Sequence, residues 1–505
     1  MVASLVTFGP FVFDRERMTL TRDGRSVSVG GRGAALLSAL ADAGGGVVSK
    51  DTLMQAAWPG TVVEEANLTV QIGALRRAMG NGPDDPEWIV TVPRVGYRLS
   101  SPQMPTDSGP PAVAALPFEN LSADPEQSFL ADGIVEDIIT ALSRFKTFAV
   151  VARSSTFAYK GRPVDVRNVA RDLGVRYVLE GSVRRSGDKV RVTAQLIEGA
   201  SGAHLWAEKF EGAVADIFDF QDTITDSVIG LVEPRIRQAE IERARRKRPE
   251  RLDAWDLCVQ AVPLVYSAHV PGYTHAIDLL DRALVLQPDY GPALAFASWA
   301  HERRKTYGGT APPGVDDVEI CLTLAQRAHD ADPDDALAMG LLGWERILFR
   351  RDYAGLDLCT RAAELNPNNR AVLDLAAVAH IFAGDLSRVL AYGTRALQLS
   401  PGAPDAYACM THLSSANLFS GRYEEAAEWA RRSIDLEKEF VFSYMHLAIA
   451  QAQLGNLAAA RAAMKATLAL RPDFNLANQS DDPILFKDRE KIWIDGCRLA
   501  GMPEG

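Results

Sequence analysis

Histidine is absent from the first 203 residues of this 505-residue chain. That removes histidine-based acid–base catalysis and histidine metal ligation from the whole stretch. Cysteine is sparse. Cys258, Cys321, Cys359, Cys409 and Cys497 stand far apart, with no CxxC pair. Such spacing excludes a zinc ribbon or a disulfide framework and reads as buried, reduced thiols. No GxGxxG or GxxxxGK[ST] occurs, so neither phosphate-cradling fingerprint is present. Long apolar runs are missing too. The longest uncharged stretch, Leu257 to Ile277, carries Gln260, Pro263, His269, Pro271, Gly272 and His275, a load that a lipid-spanning helix does not tolerate. The first residues, "MVASLVTFGPFVFDRER", have neither a basic start nor a long apolar core, so no secretory leader is expected. These absences predict a cytoplasmic protein with no membrane contact, no metal and no cofactor.

Charge is unevenly distributed. The formal net charge is −11, yet residues 1–100 hold ten lysines and arginines against ten aspartates and glutamates. The acidity lies in the rest of the chain, and an acidic surface repels phosphate. Only the neutral head keeps nucleic acid open as a partner. Two composition breaks follow. "SSPQMPTDSGPP", Ser100 to Pro111, is a linker. "RARRKRPER", Arg243 to Arg251, ends a helical stretch, and the glutamates among and before its arginines predict a solvated helix with i,i+4 charge pairs.

Residues 252–505 repeat. The segments "RALVLQPDY", "RAHDADPDD", "RAAELNPNN", "RALQLSPGA", "RSIDLEKEF" and "ATLALRPDF" each close a helix just before Pro288, Pro333, Pro367, Pro401, Lys438 or Pro472. Pro333, Pro367 and Pro401 are 34 residues apart, as are Lys438 and Pro472. A helix–turn–helix unit of that period resembles the tetratricopeptide repeat. Gly343 and Ala362 then fall where two helices of a unit touch, and Gly384, Gly421 and Gly455 fall at the turns within units. The longer gap after Pro288 predicts an insertion near "KTYGGTAPPGVDD", and the tail from Asp481 predicts capping helices. Such a solenoid offers a concave face for a protein or peptide; a purely architectural role is the alternative. His301, His329, His380, His412 and His446 lie on repeat helices and read as packing or surface groups.

The head opens with short alternating strands, then three helical stretches. The second begins at an N-cap, Ser49, and is punctuated by Pro59 and Gly60. The third, "EEANLTVQIGALRRAMG", places Leu68, Ile72, Leu75 and Met79 on one face. Asn67, Gln71, Ala74 and Arg77 lie opposite, with Thr69 and Gly73 nearby, which are side chains that can read base edges in a major groove. "TVPRVGYRL" then reads as a hairpin with its turn at Gly96. Taken together, "AAWPG", "VQIGALRRAMG" and "IVTVPRVGYRL" resemble the winged helix-turn-helix of the OmpR/PhoB family, in the variant of CadC-like regulators. The resemblance implies that the third helix enters the major groove and that the wing touches the neighbouring minor groove and backbone. The DNA-binding set it implies is Asn67, Thr69, Gln71, Arg77, Arg94 and Arg98, with Arg76 as a phosphate contact or a core-edge group. Arg94 is expected at the wing tip, Gly96 to permit the turn, and Tyr97 to pack on the domain. Gly73 and Ala74 occupy slots where the family often has basic residues.

Between head and repeats, "AVAALPF", "FLADGIVEDIITALSRF", "TFAVVAR" and "RNVARDLGV" alternate strand and helix, and a meander follows. That is an α/β layer. "ADGIVEDIITALSRF", "LGVRYVLEGSVRRSGDKVRVTAQLIE" and "SGAHLWAEKFEG" resemble the TolB N-terminal-like domain, which implies a binding or coupling module. Asp132, Glu136 and Asp137 cluster, with Asp132 read at a helix start. The strand "VAALPFEN" offers only Glu119, so the acidic pair of a phosphoreceiver is missing and a signal must arrive by binding.

The expected organisation is a multi-domain chain: an α+β winged helix over 1–100, a linker over 101–111, an α/β domain over 112–214, a helical connector over 215–251, and an all-α tetratricopeptide solenoid with a capping helix over 252–505. The expected function is that of a one-component, sequence-specific regulator of transcription, not an enzyme. Its partners would be double-stranded DNA and a protein or peptide in the repeat groove, with RNA polymerase and a second copy of the chain as further candidates. The rival reading is an interaction scaffold whose winged helix touches protein rather than DNA.

Overall fold

Alternating apolar residues at the start of the chain produce four short strands, β1 (Leu5–Phe8), β2 (Phe11–Asp14), β3 (Thr19–Arg22) and β4 (Arg25–Val27), paired antiparallel in that order. Phe11, Phe13 and Leu20 point inward with no exposed surface. Three helices follow, α1 (Gly30–Asp42), α2 (Lys50–Ala57) and α3 (Glu65–Met79). A second sheet is built from β5 (Val48–Ser49), β6 (Ile89–Val92) and β7 (Gly96–Leu99), in the order β5-β7-β6. Leu36, Leu37 and Leu40 of α1 meet Leu68, Ile72, Leu75 and Met79 of α3 in one core. Trp88 closes it, edge-on to Phe8 and Phe11.

The computed structural model describes residues 5–505 except 9–10, 16, 23–24, 44–46, 62, 81–87, 93–94, 100–108, 123–126, 163, 214–216, 401–402, 404 and 481–486. Its contacts divide the chain into two units: Met1–Asp107 with Pro163–Arg176 and Glu198–Ala203, and the remainder from Ser108.

The middle of the chain forms a mixed sheet. Its strands are β8 (Ala112–Ala115), β9 (Glu119–Asn120), β10 (Ala149–Val150), β11 (Tyr177–Ser186), β12 (Lys189–Glu198) and β13 (His204–Ala213). The order is β10-β8-β11-β12-β13, with β9 beside β11. β10, β8 and β11 run parallel, and β12 and β13 form an antiparallel pair. The helices are α4 (Gln127–Leu142), α5 (Arg153–Thr156), α6 (Val166–Leu173) and the 30-residue α7 (Ile217–Arg246). Ile134, Val135 and Ile138 of α4 and Ile224, Val228 and Val232 of α7 share a core with the sheet. Asp132 sits within α4 rather than at its start, and its carboxylate is held by Lys160 at 2.5 Å. Arg153 pairs with Glu136 at 3.5 Å. The acidic cluster is thus partly spent on neighbouring cations.

α7 differs from the solvated helix expected. Glu240 is fully buried and accepts hydrogen bonds from the Tyr177 hydroxyl (2.7 Å) and the Trp255 indole (2.9 Å). Arg243 and Lys247 turn to the buried Asp256, at 3.1 and 2.7 Å. Arg246 stays in solvent, beside Glu242. The basic run therefore serves buried carboxylates on one side and water on the other, which charge spacing alone could not distinguish.

The rest is a stack of helix pairs: α8 (Ala254–Tyr266), α9 (Val270–Leu286), α10 (Gly291–Thr306), α11 (Asp317–Ala331), α12 (Ala336–Arg350), α13 (Gly355–Leu365), α14 (Arg370–Ala383), α15 (Leu386–Leu399), α16 (Ala406–Phe419), α17 (Tyr423–Leu436), α18 (Val441–Gln453), α19 (Leu457–Leu470), then α20 (Leu476–Ser480) and α21 (Lys487–Ala500). Pro288, Pro333, Pro367, Lys438 and Pro472 each occupy a short turn between helices, and Pro401 lies outside the described residues. Gly384, Gly421 and Gly455 take positive φ at the turns within units, as glycine readily does. Ala362 is wholly buried. Gly343 meets Gly355 so closely that a Cβ on Gly343 would stand 2.5 Å from the Gly355 carbonyl oxygen. The expected insertion is the loop between α10 and α11. α7 is fastened to the repeats by Asp226, which takes both guanidinium nitrogens of Arg395 at 2.5 Å, and by the Ser400 hydroxyl donating to the Gly230 carbonyl. All five cysteines are buried thiols, and burial pushes Cys258, Cys359 and Cys497 up to about 12. Among the described residues no helix is long and apolar enough to cross a membrane.

Candidate nucleic-acid interface

The helix–turn–helix is set by local chemistry. The Ser49 hydroxyl accepts from the Thr52 amide at 3.2 Å and caps α2, satisfying one of its free donors. Trp58 is buried after the last turn of α2, and Gly60 takes positive φ in the bend that follows. Lys50 at the start of α2 reaches Glu65 at the start of α3, at 2.7 Å. The hydrogen bond and charge of Glu65 raise the Lys50 ammonium above its ordinary value. α3 is anchored by Leu68, Ile72, Leu75 and Met79, each at most 1% exposed.

Opposite that stripe, α3 turns toward solvent among the described residues. Asn67 is exposed. Thr69 is exposed, and its hydroxyl donates back to the Glu65 carbonyl at 3.2 Å. Gln71 is half-buried at one edge of the face. Arg77 is exposed and makes no ion pair with another described residue. Arg76 takes a different course. Its guanidinium donates to the Ile89 carbonyl at 2.8 and 2.5 Å and to the Thr91 hydroxyl at 2.8 Å. It ties the recognition helix to the first strand of the hairpin. Sequence reading overlooked Val70, which is 62% exposed and sits near the middle of the outer face. Its signal was positional, three residues after Asn67 and seven before Arg77, one helical face at 3.6 residues per turn.

The hairpin pairs Val92 with Gly96 and Ile89 with Leu99. Arg94 and Pro93 lie outside the described residues. Val95, beside them, is 52% exposed. Tyr97 packs into the core at 6% exposure. Arg98 is half-buried on β7 and makes no ion pair with another described residue. Gly96 has a different task from the one expected. Its φ is not in the left-handed region. Instead β5 crosses so near that a Cβ at Gly96 would lie 1.9 Å from the Val48 carbonyl oxygen. The glycine permits a third strand to close on the hairpin, a requirement invisible in the hairpin sequence alone.

Comparison with known proteins agrees with this geometry. Residues 24–99 match the family described as transcriptional regulatory protein, C terminal. Residues 110–227 match the second domain of HilA/YgeH-like transcriptional regulators. Transcriptional regulator HilA of Salmonella typhimurium is 24% identical over 416 residues, 78% of this chain and 70% of that protein. Transcriptional activator CadC of Escherichia coli is 28% identical over 149 residues, 25% of this chain and 29% of its own. A Rhizobium meliloti protein named "Putative adenylate cyclase 3" is 39% identical over 261 residues, 50% of this chain, and the match spans 43% of that relative's length. With a winged helix of the transcriptional regulatory family at the head and a HilA/YgeH-like regulator domain after it, the chain is similar to OmpR/PhoB-type transcriptional regulators, HilA and CadC among them.

Proposed function

We propose that the protein is a one-component, sequence-specific DNA-binding regulator that acts by binding rather than catalysis. The observation that carries this reading is α3. One face is locked into the core by four apolar side chains, while Asn67, Thr69 and Arg77 stand exposed on the rest of the helix. In a major groove, Asn67 and Gln71 would read base edges and Arg77 a guanine or a phosphate. Arg94 and Arg98 of the wing would meet the minor groove and backbone. Arg76 would hold the wing at a fixed angle to the helix through Ile89 and Thr91. Val70 adds an apolar surface suited to a thymine methyl. We take 1–100, 101–111, 112–214, 215–251 and 252–505 as the working division of the chain.

The repeats would take a protein or peptide partner. RNA polymerase and a second copy of the chain are the candidates a regulator requires, and a cytoplasmic location follows from a chromosomal target. A genome-wide footprint of the full chain, followed by titration of a footprinted duplex, tests the reading. Affinity should fall steeply as salt rises, because displaced counterions accompany each phosphate contact. Binding that ignores salt, or no footprint above background, would favour the scaffold reading.

A further inference from the structure

The inner helices of the repeats, α10, α12, α14, α16, α18 and α21, enclose a cavity of about 120 Å³. At 10–15 Å³ per water-sized sphere it has room for roughly ten such spheres, a small organic molecule rather than a folded partner. Aromatic side chains form much of its wall, among them Trp299, Tyr307, Trp344, Phe382, Phe440 and Phe442.

One cation stands in this apolar setting. Arg303 is 8% exposed, lines the cavity, and lies over the Trp299 ring (5.2 Å) and the Tyr307 ring (4.8 Å). These faces fix its plane but accept no hydrogen bond in it. Its Nε has no acceptor, and a hydroxyl that interacts with the guanidinium, that of Tyr407, is uncharged. Its ion pair with Glu302 is long, at 3.8 Å. Elsewhere in the solenoid the buried arginines each have a close carboxylate: Arg304 meets Asp317 at 2.6 and 3.0 Å, and Arg370 pairs with Asp405, although its Nη1 is left without an acceptor. The second carboxylate of the lining, Asp374, is occupied by His412 at 2.8 Å. Burial also pushes the Glu302 carboxyl upward, which weakens the charge it can offer Arg303. A buried guanidinium with its fork incompletely met is costly unless an anion completes it. Two more lining residues, His446 and Trp493, each leave a buried ring nitrogen without a partner.

We propose that this cavity binds a small aromatic carboxylate, its ring among the aromatic walls and its carboxylate on Arg303. A carboxylate supplies the planar pair of acceptors that a guanidinium fork matches, and a ring stacks where an alkyl chain only fills. The proposal deepens the regulator reading by naming the class of its signal, yet the binding itself does not depend on DNA.

The test is calorimetric titration of the full chain, without DNA, using 3-phenylpropanoate, 4-hydroxyphenylacetate and indole-3-acetate. The matched probes are 3-phenylpropanol and phenethylamine. Saturable binding of at least one acid, with the alcohol and amine at least tenfold weaker, is expected. Arg303→Gln should weaken the acid at least tenfold. Should that variant misfold, Val378→Trp, which fills the cavity from another lining position, should abolish binding while the far-ultraviolet spectrum stays unchanged. Three acids that fail to bind the wild-type chain, an alcohol that binds as well as its acid, or binding indifferent to a folded variant would each overturn the proposal. A chain that binds acid but shows no salt-dependent affinity for DNA would retain this site and lose the regulator reading.

Discussion

Replacing Gly96 by alanine should unfasten the wing. The new methyl would sit 1.9 Å from the Val48 carbonyl oxygen, 2.8 Å from its carbonyl carbon and 3.0 Å from the Ser49 Cα, all backbone atoms. An ordinary C–H···O approach is about 3.3 Å, so β5 and β7 must part by about 1.4 Å. No rotamer can relieve the contact. The separation breaks the pairing of Val48 with Tyr97 and of Ser49 with Gly96, at about 1 kcal/mol per hydrogen bond lost. It also loosens Val48 and Tyr97, now 8% and 6% exposed, and full burial of such side chains stabilises by about 1.5–3 kcal/mol each. Reduced freedom of the unfolded chain returns about 0.4–1 kcal/mol. A net loss of about 3 kcal/mol is expected, which is roughly a hundredfold in a local opening equilibrium. Hydrogen exchange of the amides in 48–49 and 96–99 reads it directly. Val95→Ala, an exposed change in the same hairpin, should leave those rates alone. Exchange of Gly96→Ala within a few-fold of wild type would refute the close-approach argument.

Ala362→Leu adds three carbons at a wholly buried helix contact and should destabilise the repeats by about 1–3 kcal/mol, measured as a lowered urea midpoint; an unchanged midpoint would place that residue outside the contact. Asn67→Ala or Gln71→Ala should relax preference at single base pairs by about 1–3 kcal/mol in a competition series of duplexes, whereas Arg77→Ala, if it serves a phosphate, should weaken all sequences alike and lower the salt slope by about one. Glu345 is fully buried, accepts from Ser298, and has its carboxyl pushed up to about 8 by that burial. The folded state therefore holds a proton that the unfolded state releases near the ordinary glutamate value of 4.5. That contribution to stability is whole below pH 4.5 and is lost as pH rises to about 8, by up to about 1.4 kcal/mol per unit. Thermal melts of Glu345→Gln across this range should be flatter than wild type, and parallel curves would count against a protonated Glu345.

Periodicity is a local property, and what depends on it was legible in the sequence. The 34-residue spacing placed Gly343 and Ala362 at helix contacts and the turn residues in turns, because each repeat packs chiefly on its neighbours. The apolar stripe of α3 likewise announced its buried face, and so its outer one. Three features needed the folded chain. Gly96 answers to Val48, nearly fifty residues away. Arg76 and Arg77 are adjacent in sequence, yet a helical step turns one toward the hairpin and the other to solvent. Arg303, read as one more helix residue, becomes an under-paired cation only because α10, α12, α14, α16, α18 and α21 surround it with aromatic rings. Sequence fixes which groups a chain carries and their local period; whether a charge meets water, a carboxylate or an apolar wall depends on which distant segments enclose it, and burial sets the energy of that meeting.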